Sequence, residues 1–189
     1  MLILVMGTFR SLLNAGLAGI CLMWSGPALA ADDRAAELLQ ELQRPDLPNW
    51  KNVENAIWSE WSRSGSPSAD LLLKRGRDAV EESDFDTAIA HLTALTDHAP
   101  DFAEGFNVRA LAFFRSGRYG PAMADLERTL ALNPSHFGAL SGLGAILEEV
   151  GRYDDALRAF EAARAIHPHD PDLEDAVTRL ERLTSGQTL

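Results

Sequence analysis

Cysteine is almost missing from this sequence: Cys21 is the only one, and it lies in an apolar N-terminal stretch. If that stretch is removed, disulfides, thiol nucleophiles and thiolate metal sites are all excluded. Basic charge is also scarce. Seventeen Lys and Arg face 28 Asp and Glu, for a net charge of −11. Such a chain repels a phosphate backbone, so nucleic acid is excluded as a partner. The nearest thing to a Gly-rich phosphate loop is Gly142-x-Gly144, which sits inside a helical pattern where close packing explains it. No Ser/His/Asp arrangement stands out, so no enzyme activity and no cofactor are expected.

The chain has one long apolar run, at its start. Residues 1–30 hold a single charge, Arg10, and no acidic residue. Leu12 to Trp24 is mostly apolar, about as long as the core of a signal peptide. Gly26-Pro27 breaks the run, Ala28-Leu29-Ala30 gives the small-x-small pattern of a signal peptidase site, and Asp32-Asp33 opens the polar chain. The expectation is an exported, periplasmic protein with residues 1–30 cleaved after Ala30 and no stable membrane span left. An uncleaved anchor is the alternative, but the core is short for a bilayer span of about 20 residues. Met6 offers a second start, since Met1 to Gly7 is apolar ahead of Arg10. Ile20 before Cys21 argues against lipidation. Cleavage would leave 16 basic against 28 acidic residues, a net of −12.

The rest of the chain repeats itself. Pro100, Pro134 and Pro168 are spaced by 34 residues. In the same register fall Leu72, Phe106 and Leu140; Gly76, Ala110 and Gly144; Phe85, Tyr119 and Tyr153; Ala88, Ala122 and Ala156; and Leu92, Leu126 and Phe160. A fixed period with matched size classes means stacked supersecondary units. Small residues at 76, 110 and 144, facing the alanines at 88, 122 and 156, let two helices approach closely. Gly117 and Gly151 suit the left-handed helix cap, and Ser83 takes their place in the first unit with expected strain. Asp86, Gly120 and Asp154 share a column suited to the N-cap of the second helix, with Pro121 at N1. Each unit is thus helix, turn, helix, with first helices over 70–82, 104–116 and 138–150, and second helices over 86–99, 120–133 and 154–167.

This pattern resembles the tetratricopeptide repeat, with its large-x2-apolar-small-x2-aromatic, Ala-x3-Phe and closing Pro positions. Arg75 and Arg109 depart from it where leucine is usual, and Leu95 and Thr129 where alanine is usual. The resemblance implies an all-α solenoid. Its repeats cover 69–102, 103–136 and 137–170, and residues 171–184 form a capping helix. Asp170 and Pro171 open that helix, and Leu173, Ala176, Val177, Leu180 and Leu183 make its apolar stripe. Residues 185–189 are a frayed tail. Residues 31–66 carry two helical stretches, marked by Leu38, Leu39 and Leu42 and by Trp50, Val53, Ile57 and Trp61, with Pro45 and Pro48 between. Projecting the period backwards puts Trp58 in the Leu92 column and Trp61 in the Leu95 column. The segment is read as a degenerate repeat that caps the N-terminal end of the stack.

In this family the first helices line a concave groove. Carried over by column, the wall holds Asp70, Leu73, Arg77, Val80 and Glu81; Glu104, Asn107, Leu111, Phe114 and Arg115; and Gly138, Ser141, Ala145, Glu148 and Glu149. Arg77, Glu81, Asn107, Leu111, Phe114, Arg115, Ser141 and Glu148 are the expected partner-binding residues, for a protein or peptide partner. The competing expectation is that the chain's own N-terminal helices fill the groove. Leu73 and Ser141 stand where a carboxylate clamp would want lysine or asparagine, so that clamp is not expected. Arg109 is expected to pair with Asp125 across the hairpin, and Arg109→Leu to leave stability unchanged or raised. His98 and His167, near helix C-termini, suit a cation on the dipole. His136, His167 and His169 lack the spacing of a metal motif, so no metal is expected. Self-association as a scaffold, through the end caps or through Trp50, Trp58 and Trp61, is the alternative role.

Overall fold

The computed structural model describes residues 27–186, with side chains from Arg34 onward. The expected leader core and residues 187–189 lie outside the described residues. The described residues form nine α-helices and no strand. They are α1 Pro27–Leu42, α2 Trp50–Trp61, α3 Pro67–Glu81, α4 Phe85–His98, α5 Ala103–Arg115, α6 Tyr119–Leu132, α7 Phe137–Glu149, α8 Tyr153–Ile166 and α9 Pro171–Thr184. From α3 on, each helix packs on the next, and α3, α5 and α7 also touch in sequence. The stack is therefore three helical hairpins whose first helices share one wall, closed by α9.

Small residues set the spacing inside each hairpin. A Cβ on Gly76 would sit 2.5 Å from Cγ of Leu92, and one on Gly144 would sit 2.8 Å from the Phe160 ring. The glycines let the large residue of the facing helix reach the backbone, and close packing leaves no room to retreat. The turns inside the three hairpins are built alike. Gly117 and Gly151 adopt φ 76 and 75, and Ser83 adopts φ 61 in the same place. The amide of Arg118 donates to the Phe113 carbonyl at 2.8 Å and that of Gly117 to Phe114 at 2.9 Å. Ser83 and Asp84 repeat this bonding with Val80 and Ala79. Ser83 thus closes the same cap as the glycines, and as an L-residue in the left-handed region it carries the strain expected from the sequence.

The caps of the second helices differ from expectation. N-caps fall at Asp84, Arg118 and Arg152, two residues before the Asp86, Gly120 and Asp154 column. Only Asp84 caps with its side chain, accepting from the Thr87 amide at 3.2 Å. Hydrogen bonding from the Thr87 side chain, and then from its amide, holds the Asp84 carboxyl below the usual carboxylate range. The left-handed residue plus one linker residue completes the turn, so the helix starts earlier, and Pro121 occupies N3, where an amide has no helical partner to lose. At α9 the reading from sequence matches the coordinates. Asp170 accepts from the Asp172 amide, Pro171 leads, and Leu173, Ala176, Val177 and Leu180 are buried. Leu183, expected in the same stripe, is 51% exposed.

The leading hairpin does not extend the stack. α1 and α2 pack on each other through Leu38, Leu42, Leu47, Val53 and Ile57. The side chains of α2 then reach past the first two repeats to Phe137 and Ile166 in the third. The degenerate-repeat reading of 31–66 is corrected on this point: Trp58 and Trp61 do not take the Leu92 and Leu95 positions of a further unit. They lie across the inner wall.

Candidate functional site

The inner wall is divided along the helices. Its N-terminal part, where α3, α5 and α7 begin, is covered by α2 and the loop after it. Trp61 stacks on His136 with ring centroids 4.4 Å apart and an 18° tilt. Trp58 meets Phe137 and His136 edge-on at 5.1 and 5.4 Å. A Cβ on Gly138 would come within 2.5 Å of the Trp58 ring, so the absence of a side chain there seats the indole. The amide and hydroxyl of Ser64 donate to Asp70, at 2.9 and 2.6 Å, which anchors the loop.

Beneath this cover lies a buried polar network. Glu104 is the hub, 2% exposed. It takes an ion pair from Arg77, accepts from the Asn107 amide group at 3.1 Å, and meets His136 Nε2 at 3.0 Å. His136 Nδ1 accepts from the Ala139 amide at 3.1 Å and so N-caps α7. That bond requires the proton on Nε2, which then donates to Glu104. Arg77 also donates to the Ser62 hydroxyl at 2.9 Å, tying α3 to the end of the leading hairpin. A carboxylate this buried is tolerated because each neighbour donates to it.

The expected binding residues therefore divide into groups. Arg77 and Asn107 are bonded to Glu104, which ties them to the network under the hairpin, while each keeps part of its side chain exposed. Glu148 is bonded to Arg179 of α9 at 2.7 and 2.9 Å, so it holds the C-terminal cap. Arg115 donates to the Val80 carbonyl at 3.1 Å and lies over the Phe85 ring. Glu81 is exposed at the rim and Ser141 is half-buried. Leu111, 45% exposed, and half-buried Phe114 remain as an apolar pair on the uncovered part of the wall. With Asn107, Gly142 and Ile146 they line a pocket of about 80 Å³. That is far below the roughly 300–1,000 Å³ of a small-molecule site. A wider hollow of about 530 Å³ lies between the α7–α8 turn and the end of α9, but its Arg152 and Arg158 are both paired to Asp155.

Other expectations meet mixed outcomes. Arg109 grips Asp125 through two bonds of 2.7 Å and also donates to Thr96 at 2.7 Å. Asp125 is buried, so Arg109→Leu would strand a carboxylate, and the expected neutrality of that change is withdrawn. Arg75 is exposed and needs no partner. His167 does cap the end of α8, but burial pushes it below the usual histidine range, against a cationic role on the dipole. Among the described residues no group of three or more His, Cys, Asp or Glu side chains is placed to hold a metal, and no helix is long and apolar enough to cross a membrane. Glu54 was missed from sequence, and His136 and His167 were named there only for the helix dipole and a metal motif, not as the seats of the hairpin's tryptophans. The one available signal was His136 two residues after a repeat-closing proline, at an N-cap position.

Comparison with known proteins agrees with this architecture. The tetratricopeptide repeat family model matches residues 73–126 and 107–171. A TPR repeat-containing protein of Rhizobium etli is 36% identical over 157 residues, covering 82% of this chain and 77% of that protein. Human serine/threonine-protein phosphatase 5 is 28% identical over 113 residues, but the match spans only 23% of its length. Among solved structures, the first TPR of Spaghetti (RPAP3) bound to an HSP90 peptide superposes with a TM-score of 0.62 at 23% identity, covering 64% of this chain and 96% of that one. The TPR2B domain of yeast Sti1 in complex with an Hsp70 peptide gives 0.59 at 21% identity, covering 62% and 99%. Three hairpins in step, their shared inner wall and these matches together place the chain in the tetratricopeptide repeat family.

Proposed function

We propose that this protein is an exported interaction module that takes a protein or peptide segment on the uncovered part of its inner wall. The observation that carries the reading is the Leu111–Phe114 pair around the small pocket. An exposed leucine beside a half-buried aromatic ring, with Asn107 in the same lining, offers one apolar anchor with a polar group at its edge. Solved neighbours that hold HSP90 and Hsp70 peptides support peptide capture as the mode. The pocket is suited to one small apolar side chain of a partner, and the segment is bound by a short stretch of wall.

Export is supported by the leader pattern of residues 1–30. A cut after Ala30 removes only the first turn of α1 and leaves its buried Ala35, Leu38 and Leu42 on the mature chain. The test is a crosslinking pull-down from a bacterial envelope fraction with the wild type and a Leu111→Asp/Phe114→Ala variant. Partners lost from the variant while its helical signal is kept support the reading, and the recovered chain should begin at Ala31. An unchanged set of partners would move the site off the inner wall.

A further inference from the structure

Three of the five histidines meet the leading hairpin, and they meet it differently. His136 stacks on Trp61 with both ring nitrogens bonded. His169 Nε2 donates to the Arg44 carbonyl at 2.8 Å, a bond that survives protonation of the ring. His167 is fully buried, and neither of its nitrogens has a hydrogen-bond partner. Trp50 of α2 stands edge-on to it at 5.3 Å, and Phe137 does so from α7 at 5.0 Å. The hairpin's Trp50 therefore rests on an imidazole sealed from water.

A neutral imidazole tolerates this seat at modest cost. An imidazolium there would bury a charge with no acceptor at Nδ1 and only the distant Glu54 carboxylate facing Nε2, which is more costly. The charged groups facing it are Glu54 from α2 and Asp170 and His169 from the loop before α9. Burial pushes the His167 pKa down; Glu54 and Asp170 oppose this, and His169 adds to it. Burial wins for a physical reason. The Glu54 oxygen is 3.6 Å away, beyond hydrogen-bond reach, and that side chain is a quarter exposed, so water screens its pull.

We propose that His167 is a pH latch, which when neutral seats Trp50 and holds the α1–α2 hairpin over the inner wall, and when protonated releases it. Release uncovers Phe137, Ile166 and the wall beneath Trp58 and Trp61. The sign follows from linkage. In the released state His167 meets water and titrates near the ordinary histidine value of about 6.5. Under the hairpin it titrates lower. The released form therefore takes up the proton more readily. Docking is complete above about pH 6.5 and weakens by up to about tenfold per pH unit below it, until the docked value is passed. This property belongs to the protein alone and does not depend on the partner reading.

The experiment is 19F NMR of the full chain carrying 5-fluorotryptophan, from pH 7.5 to 5.0, with each resonance assigned by a Trp→Phe change. Trp50, Trp58 and Trp61 are expected to move together toward the solvent-exposed position as pH falls, while far-UV circular dichroism stays helical. In His167→Phe, or in the polar but neutral His167→Gln, they stay docked throughout. The His167 ring itself, followed by 1H–13C NMR in the wild type, must titrate with the same midpoint as release and below its ordinary value. Fixed tryptophan resonances down to pH 5.0, an equal shift in both variants, or release out of step with the His167 ring would each overturn the latch.

Discussion

The repeat stack and the leading hairpin are held by different kinds of contact. In the stack, each unit uses the same parts: a glycine or alanine that admits a large side chain, a left-handed turn residue and a closing proline. These contacts join neighbours, so each hairpin depends mainly on the next. The leading hairpin touches the stack at long range, through indoles set on His136, Phe137 and His167. The first kind of contact recurs and makes a rod. The second occurs once and turns a generic inner wall into a partly closed one.

That contrast can be broken or sharpened by substitution. The largest effect is expected within the stack. Arg109→Leu strands the buried Asp125 carboxylate and should cost about 3–5 kcal/mol in urea unfolding. Arg109→Leu with Asp125→Leu should recover most of that loss, because the pair is then replaced by apolar volume. If the single change proves neutral, the bidentate pair is not holding α5 to α6.

A smaller and more local loss is expected at the hairpin. Trp61→Ala removes a half-buried ring and should cost about 2–3 kcal/mol, somewhat under the usual loss for a buried tryptophan. Amide hydrogen exchange in α1 and α2 should then rise about 100-fold, while α4 to α9 keep their protection. An equal rise across all helices would mean that hairpin and stack open as one unit, and the distinction between them would fail.

The same contrast explains what could be read from the sequence. α4 to α9 fall within a residue or so of the expected bounds because the 34-residue period carries both the packing and the turns. Asp170, Pro171 and the turn glycines were legible because each answers a local need of the backbone. Cap positions on the second helices were placed two residues late, since a left-handed turn and a side-chain cap compete to start the helix and the turn prevailed. Trp58 and Trp61 were misplaced because the period was extended into a segment that does not share it. The burial of Glu104, His136 and His167 left no periodic mark, since it depends on a hairpin arriving from far along the chain. The place of Leu111 and Phe114 on the wall was legible by column, because α5 keeps the register of the repeat there.

The central claim is that α2 lies across the inner wall and seats Trp58 over the start of α7. Nuclear Overhauser contacts from the Trp58 ring in solution at pH 7.5 test it most directly. The account predicts contacts from that ring to Gly138 Hα and to the Phe137 ring. Contacts from Trp58 to Leu72 and other residues of α3, with none to α7, would show the hairpin stacked as a fourth repeat and would contradict it.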